Sequence, residues 1–171
     1  MKAVLILNAG SSSLKFALFP MTPKLADMPR LSGQVEGIGA EPLMSARDTN
    51  TGERFTEALA VPPDTDQNGQ HRLALEFIFE WINRHSPGVE IVAAGHRIVH
   101  GGDHYGAPVV LTPEVVAELE TLIPLAPLHQ PHNLRAIKSL FNLMPEVKQV
   151  GCFDTDRKST RLNSSHGYRS R

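Results

Sequence analysis

Asn8-Ala9-Gly10-Ser11-Ser12-Ser13-Leu14-Lys15 gathers hydrogen-bonding groups around one cation within eight residues. Gly10 lets the backbone come close to a ligand and take positive φ. The three serines offer hydroxyls and N–H donors, and Lys15 adds a point positive charge. Donors and a cation around a tight turn make an anion cradle, suited above all to phosphate. Asn8 supplies an amide oxygen, a hard ligand that fits a magnesium water shell. The same residues also suit a plain polar hairpin turn, which Gly and Ser favour. The Gly-x-x-x-x-Gly-Lys-Ser/Thr spacing of a P-loop is absent, and no Gly-x-Gly-x-x-Gly follows a strand.

Gly95-His-Arg-Ile-Val-His-Gly-Gly-Asp-His-Tyr-Gly106 is the second such stretch. It follows an apolar run, and in open α/β sheets ligands gather beyond the carboxyl ends of strands. Arg97 there can hold a carboxylate or phosphate through a bidentate fork, or pair with a neighbouring acid. Gly101 and Gly102 let the chain turn sharply near a ligand. His96, His100 and His104 read as structural, holding the loop through ring hydrogen bonds. In the third stretch, Leu125-Ala-Pro-Leu-His-Gln-Pro-His132, a lone His129 reads as a surface or capping residue. The fourth is Phe153-Asp154-Thr155, where Asp154 stands just past a final apolar run, in place for metal-directing or catalytic work.

These residues need a scaffold. Ala3–Leu7 and Leu14–Phe19 read as two strands of a hairpin about the serine turn. Arg30–Ile38 reads as a third strand, Glu53–Val61 as a short one, and Pro62–Gln70 as a polar linker. His71–His85 has helical periodicity, with Leu73, Phe77 and Trp81 beside Ala74, Ile78 and Ile82 as a core stripe, and Glu80 and Arg84 spaced to pair. Val89–Ala94 reads as a strand buried on both faces. Thr112 and Pro113 open a helix through Leu122, and a further helix runs from about Asn133 to Leu143 with Leu134, Ile137 and Phe141 on one face. Val147–Phe153 is a last strand. The order implies an α/β fold: a mixed sheet, antiparallel at first and then joined by right-handed crossovers.

Composition narrows the class. A chain of 171 residues, 41% apolar and 20% charged, suits one soluble globular domain. A single cysteine, Cys152, excludes an internal disulfide and fits a reducing compartment. The first apolar run is too short for a signal peptide and none reaches membrane-spanning length, so the expectation is cytoplasmic, with no membrane partner. The net charge of −1 is uneven: residues 157–171 hold Arg157, Lys158, Arg161, Arg169 and Arg171 and no acid. The preceding part holds 12 basic and 18 acidic residues, a net of −6, which offers no basic stripe for nucleic acid.

Strand, Asn-x-Gly-Ser-Ser-Ser-x-Lys, strand resembles the N-terminal signature of the acetate kinase family, and His-Arg-Ile-Val-His-Gly-Gly-x-x-Tyr is similar to its second signature. The resemblance implies a ribonuclease-H-like domain of the acetate and sugar kinase, Hsc70 and actin superfamily. It implies ATP and acetate as substrates, with Mg²⁺, or Mn²⁺ in its place, and acetyl phosphate and ADP as products. Carried over position by position, Ser11, Ser12, Ser13 and Lys15 hold nucleotide phosphates and Asn8 supports the metal. Arg97 binds the acyl substrate, Val99 and Leu128 wall its methyl pocket, and His129 and Asp154 are catalytic. The family commonly has Asn where Gln130 stands. Acetate is already ionised at neutral pH, since its pKa is near that of Glu, about 4.3. Asp154 is therefore read as orienting Arg97 or magnesium-bound water rather than as a base. The match runs to about Thr155, where the family continues with Ala-Phe-His; residues 156–171 lack apolar periodicity and read as disordered or as unrelated translated sequence. On this reading residues 1–155 are an N-terminal kinase domain, and the second domain, with most of the homodimer contact, is absent.

Overall fold

The structure is a computed structural model that describes residues 2–21, 23–98, 109–121 and 130–153. β1 (Lys2–Ala9) and β2 (Ser13–Pro20) form the expected hairpin, paired from Ala3 opposite Pro20 to Ala9 opposite Leu14. β3 (Leu31–Glu36), β4 (Leu43–Asp48) and β5 (Arg54–Ala58) extend it in antiparallel fashion. After α1 (Gln67–His85), β6 (Glu90–Ile98) pairs parallel with β1. A short β7 (Val109–Val110), α2 (Pro113–Glu120) and α3 (Gln130–Leu143) lead to β8 (Lys148–Phe153), which is parallel to β6 and antiparallel to β7. Among the described residues the sheet order is β5-β4-β3-β2-β1-β6-β8-β7.

Strand alternation decides which side chains meet the helices. Ala3, Leu5, Leu7 and Ala9 of β1 and Leu14, Phe16 and Leu18 of β2 are buried in one cluster with Ala74, Leu75, Ile78, Trp81 and Ile82 of α1. Trp81 is fully buried, edge-on to Phe16 at 5.8 Å and to Phe55 at 5.5 Å. A second cluster joins Ile98, Leu111, Val116, Leu119, Leu134 and Ile137. Each fully buried Leu or Ile contributes about 1.5–3 kcal/mol, so these two clusters carry most of the drive to fold. We call the face that meets α1 and α3 covered, and the opposite one outer. Ile6, on the outer face, is 38% exposed.

Several expectations need correction. β4 lies where no strand is expected, because its covered face carries Met44, Ala46 and Asp48 and reads poorly as an apolar alternation. α1 begins within the supposed linker. Asp66 caps it, its carboxylate accepting from the Gly69 N–H at 2.8 Å. The pair at helical spacing is Arg72 with Glu76, while Arg84 reaches across to Glu57 of β5 at 3.4 Å rather than to Glu80. β6 is not buried on both faces: Ile91, Val92 and Ala93 are half-buried, and the strand continues through Ile98. His96 and Arg97 thus lie within a strand and not in a loop after it. α2 starts as expected, with the Thr112 hydroxyl accepting from the Val115 N–H at 3.2 Å.

Candidate functional site

The parallel strands β1, β6 and β8 all point their carboxyl ends the same way, and Asn8 and Arg97 stand at the ends of β1 and β6. Parity places the side chains. Asn8 is directly opposite Lys15 in the β1–β2 hairpin, so both share a face. That face is the outer one, because Leu7 and Phe16, next in each strand, are buried beneath α1. Gly95 is the β6 partner of Ile6, and a Cβ there would lie 2.8 Å from the Ile6 Cδ1. Arg97, two residues after Gly95, returns to the same face. Lys15, Asn8 and Arg97 therefore lie at one level on three adjacent strands, spanning roughly 10 Å between the outer Cα atoms. Lys15 also borders a shallow groove of about 570 Å³ that continues over Gln34, Ser45 and Thr56.

The serine turn is tightly closed. The Gly10 N–H donates to the Ser13 carbonyl at 2.9 Å. A Cβ on Gly10 would sit 2.9 Å from the Ser13 Oγ, so a side chain there would push that hydroxyl aside. The positive φ expected of Gly10 is not used; among the described residues the left-handed glycines are Gly37, Gly39, Gly52 and Gly88. The Ile38 N–H donates to the Ser12 carbonyl at 3.0 Å. From α1, the Gln67 Nε2 donates to the Ser11 carbonyl at 2.6 Å and the His71 Nε2 to the same oxygen at 2.9 Å. Neither Gln67 nor His71 stands out in the sequence. The one available signal is Asp66 three residues before Gly69, a cap that moves the helix start back over Gln67.

On the covered face one residue before Arg97, His96 is 3% exposed, and its Nε2 bonds the Gln149 Oε1 of β8. The Gln149 Nε2 donates to the Ile137 carbonyl at 3.3 Å, which turns its oxygen toward the ring. The ring therefore carries its proton on Nε2, and burial pulls its pKa down to about 4, with the Gln149 bond opposing. His96 is structural, as its sequence context implied. His71 is also held below the usual range, first by burial and further by Arg135 and His132, against the Ser11 bond.

Asn8, Ser11, Ser12, Ser13, Lys15 and Arg97 are brought to the same end of the sheet. Val99, Leu128, His129 and Asp154 lie outside the described residues, as do His100 and His104. Among the described residues no cluster of three His, Cys, Asp or Glu could hold a metal, and no helix is long and apolar enough to cross a membrane.

Comparison with known proteins gives a consistent result. A curated acetate kinase of Methylocella silvestris is 42% identical over 163 residues, covering 90% of this chain and 39% of its own length. Among solved structures, Porphyromonas gingivalis acetate kinase superposes with a TM-score of 0.77 at 37% identity, over 91% of this chain and 38% of that one. A propionate kinase from Francisella tularensis gives 0.75 at 29% identity, over 91% and 38%. The chain thus spans under two fifths of the length of these relatives. Its fold is the α/β fold of the acetate and sugar kinase, Hsc70 and actin superfamily. The profile of the acetokinase family matches residues 3–169, past the point at which the motif resemblance stops, and by that match the chain belongs to the acetokinase family.

Proposed function

We propose that residues 1–155 are the N-terminal domain of a short-chain carboxylate kinase that moves a phosphoryl group reversibly between ATP and acetate, giving acetyl phosphate and ADP. The observation that carries this reading is the row of Lys15, Asn8 and Arg97 at one level of the outer face, beside the serine turn. It sets a phosphate-binding cation about two strand spacings from a guanidinium that can fork onto a carboxylate. A transferring phosphoryl group fits between them.

Phosphoryl transfer is mainly positioning and charge neutralisation. In this proposal the Ser11–Ser13 turn and Lys15 hold the nucleotide phosphates. Arg97 holds the acetate carboxylate so that one ionised oxygen faces the γ-phosphorus in line. Val99 and Leu128 limit acyl size, His129 stabilises charge on the transferring group, and Asp154 orients Arg97 or a metal-bound water. Asn8 alone offers a neutral oxygen beside a cation, which does not make a protein cage for a resident ion. It does fit the water shell of a magnesium ion carried by nucleotide phosphates, and Mn²⁺ suits the same oxygen donors. Such an ion supplies charge neutralisation when bound. The remainder of the cleft, and most of a homodimer contact, are assigned to the part of the relatives' length that this chain does not span.

With acetate, ATP and hydroxylamine, which traps acetyl phosphate as acetyl hydroxamate and releases phosphate, the chain by itself is expected to form no hydroxamate. A full-length protein carrying residues 1–155 is expected to form it, and Arg97→Ala there should raise the KM for acetate about tenfold or more with the KM for ATP little changed. An unaltered acetate KM refutes the carboxylate assignment. Propionate is the second reading, favoured by the propionate kinase among the structural relatives. One methylene changes discrimination by about 1–3 kcal/mol, so turnover of acetate against propionate decides it.

A further inference from the structure

The first two turns of α1 reach the serine turn through one side chain each, and both end on one atom. The Ser11 carbonyl accepts from the Gln67 Nε2 at 2.6 Å and from the His71 Nε2 at 2.9 Å. A carbonyl oxygen has two lone pairs, and here both are engaged. The peptide unit is planar and trans, so the Ser12 N–H points opposite to the Ser11 carbonyl, away from α1. Fixing that oxygen against the helix therefore aims the next N–H toward the open side of the turn. The helix end is itself anchored, by Asp66 on the Gly69 N–H at 2.8 Å and by Gln70, whose Oε1 accepts from the Gly39 N–H at 2.7 Å. The His71 ring is 6% exposed and stacks on His132 of α3 with 6.3 Å between centroids, which fixes its orientation.

We propose that Gln67 and His71 are positioning residues for phosphate binding: together they clamp the Ser11 carbonyl and so preorganise the Ser12 N–H of the anion turn. This rests on the reading of Ser11–Ser13 as a phosphate cradle. A carbonyl can only accept, so the His71 ring acts as its Nε2–H tautomer. Glutamine places its Nε2 at the same remove from Cβ, and His71→Gln should preserve the bond.

The test compares this chain with its Gln67→Ala/His71→Ala double variant and its His71→Gln single variant. Amide hydrogen exchange is read at Gly10–Leu14 and, as a control, across β4 and β5. The double variant should exchange about tenfold faster at the turn with β4 and β5 unchanged, and His71→Gln should remain near wild type. Affinity for inorganic pyrophosphate, followed by NMR titration, should fall about fivefold or more in the double variant and be retained in His71→Gln. Exchange that is unchanged at the turn, or faster uniformly across the sheet, overturns the proposal. Equal pyrophosphate affinity in all three proteins overturns it while leaving the turn as a phosphate site. A wild-type chain that binds no pyrophosphate overturns the phosphate reading itself, and the exchange data, which need no ligand, separate that failure from a failed clamp.

Discussion

Lowering the pH from 7 to 5 should cost the fold about 2 kcal/mol through His96 alone. The ring is 3% exposed and its pKa is drawn down to about 4, chiefly by burial. In the unfolded chain the same group titrates near 6.5. Between those values the unfolded state takes up a proton that the folded state refuses. Stability from a neutral buried histidine is therefore present above about pH 6.5 and is lost as the pH falls toward 4. At pH 5 the unfolded site is almost fully protonated and the folded site mostly is not, which yields the figure above, and the full loss below pH 4 is about 3 kcal/mol. Urea unfolding at both pH values measures it directly, with the emission of Trp81, the one tryptophan and a fully buried one, as the signal. His96→Gln is the control: its side-chain amide can still donate to the Gln149 Oε1 but does not titrate. His71 also titrates below its usual range, so only the difference between wild type and variant belongs to His96. If both proteins lose the same stability between pH 7 and 5, the argument from burial is refuted.

Three further perturbations test the packing. Gly33→Ala would set a Cβ 2.4 Å from the Ser45 carbonyl and 2.8 Å from the Ala46 Cα, so β3 and β4 must separate; a loss of about 2 kcal/mol or more is expected from the urea midpoint. Trp81→Ala should cost about 3–5 kcal/mol, whereas Trp81→Phe should cost under about 2, because the buried Trp81 Nε1 has no hydrogen-bond partner among the described residues to lose; circular dichroism follows both. Asp66→Ala removes the cap on the Gly69 N–H and should lower stability by about 1 kcal/mol, read as a drop in the thermal midpoint.

What could be read from the sequence follows from how each element is stabilised. The hairpin of β1 and β2 is legible because its covered face is an unbroken alternation, Ala3, Leu5, Leu7, Ala9 and Leu14, Phe16, Leu18. The second half of α1 is legible for the same reason. β4 is not, since a strand held by two paired neighbours tolerates Ala46 and Asp48 on its covered face. The start of α1 is not either, because Gln67, Asn68, Gly69 and Gln70 carry no apolar side chain to continue the stripe, and Gln67, Gly69 and Gln70 are held by polar contacts and the cap. Asn8, the serines, Lys15 and Arg97 stand out as candidates in the sequence because their chemistry is local or matches a family signature, and the fold brings them to one end of the sheet. Gln67 and His71 act from more than fifty residues away on a backbone oxygen, and no spacing rule exposes that kind of contact.

The two faces of β6 make opposite demands, and strand geometry satisfies both. His96 and Ile98 turn toward the helices, while Gly95 and Arg97 turn outward beside Ile6 and Asn8. A slip of one residue in β6 would exchange the faces, burying Arg97 and exposing Ile98. It would also turn His96 outward and part it from Gln149, leaving the buried Gln149 Oε1 without its ring partner at a cost of about 1–3 kcal/mol. The pairing of Arg97 with Cys152 and of His96 with Gly151 holds β8 at the same register. A buried, neutral and chemically idle pair thus opposes any slip that would turn Arg97 away from the level of Asn8 and Lys15. Placement of the Arg97 guanidinium is inseparable from the polar contact on the other side of the strand.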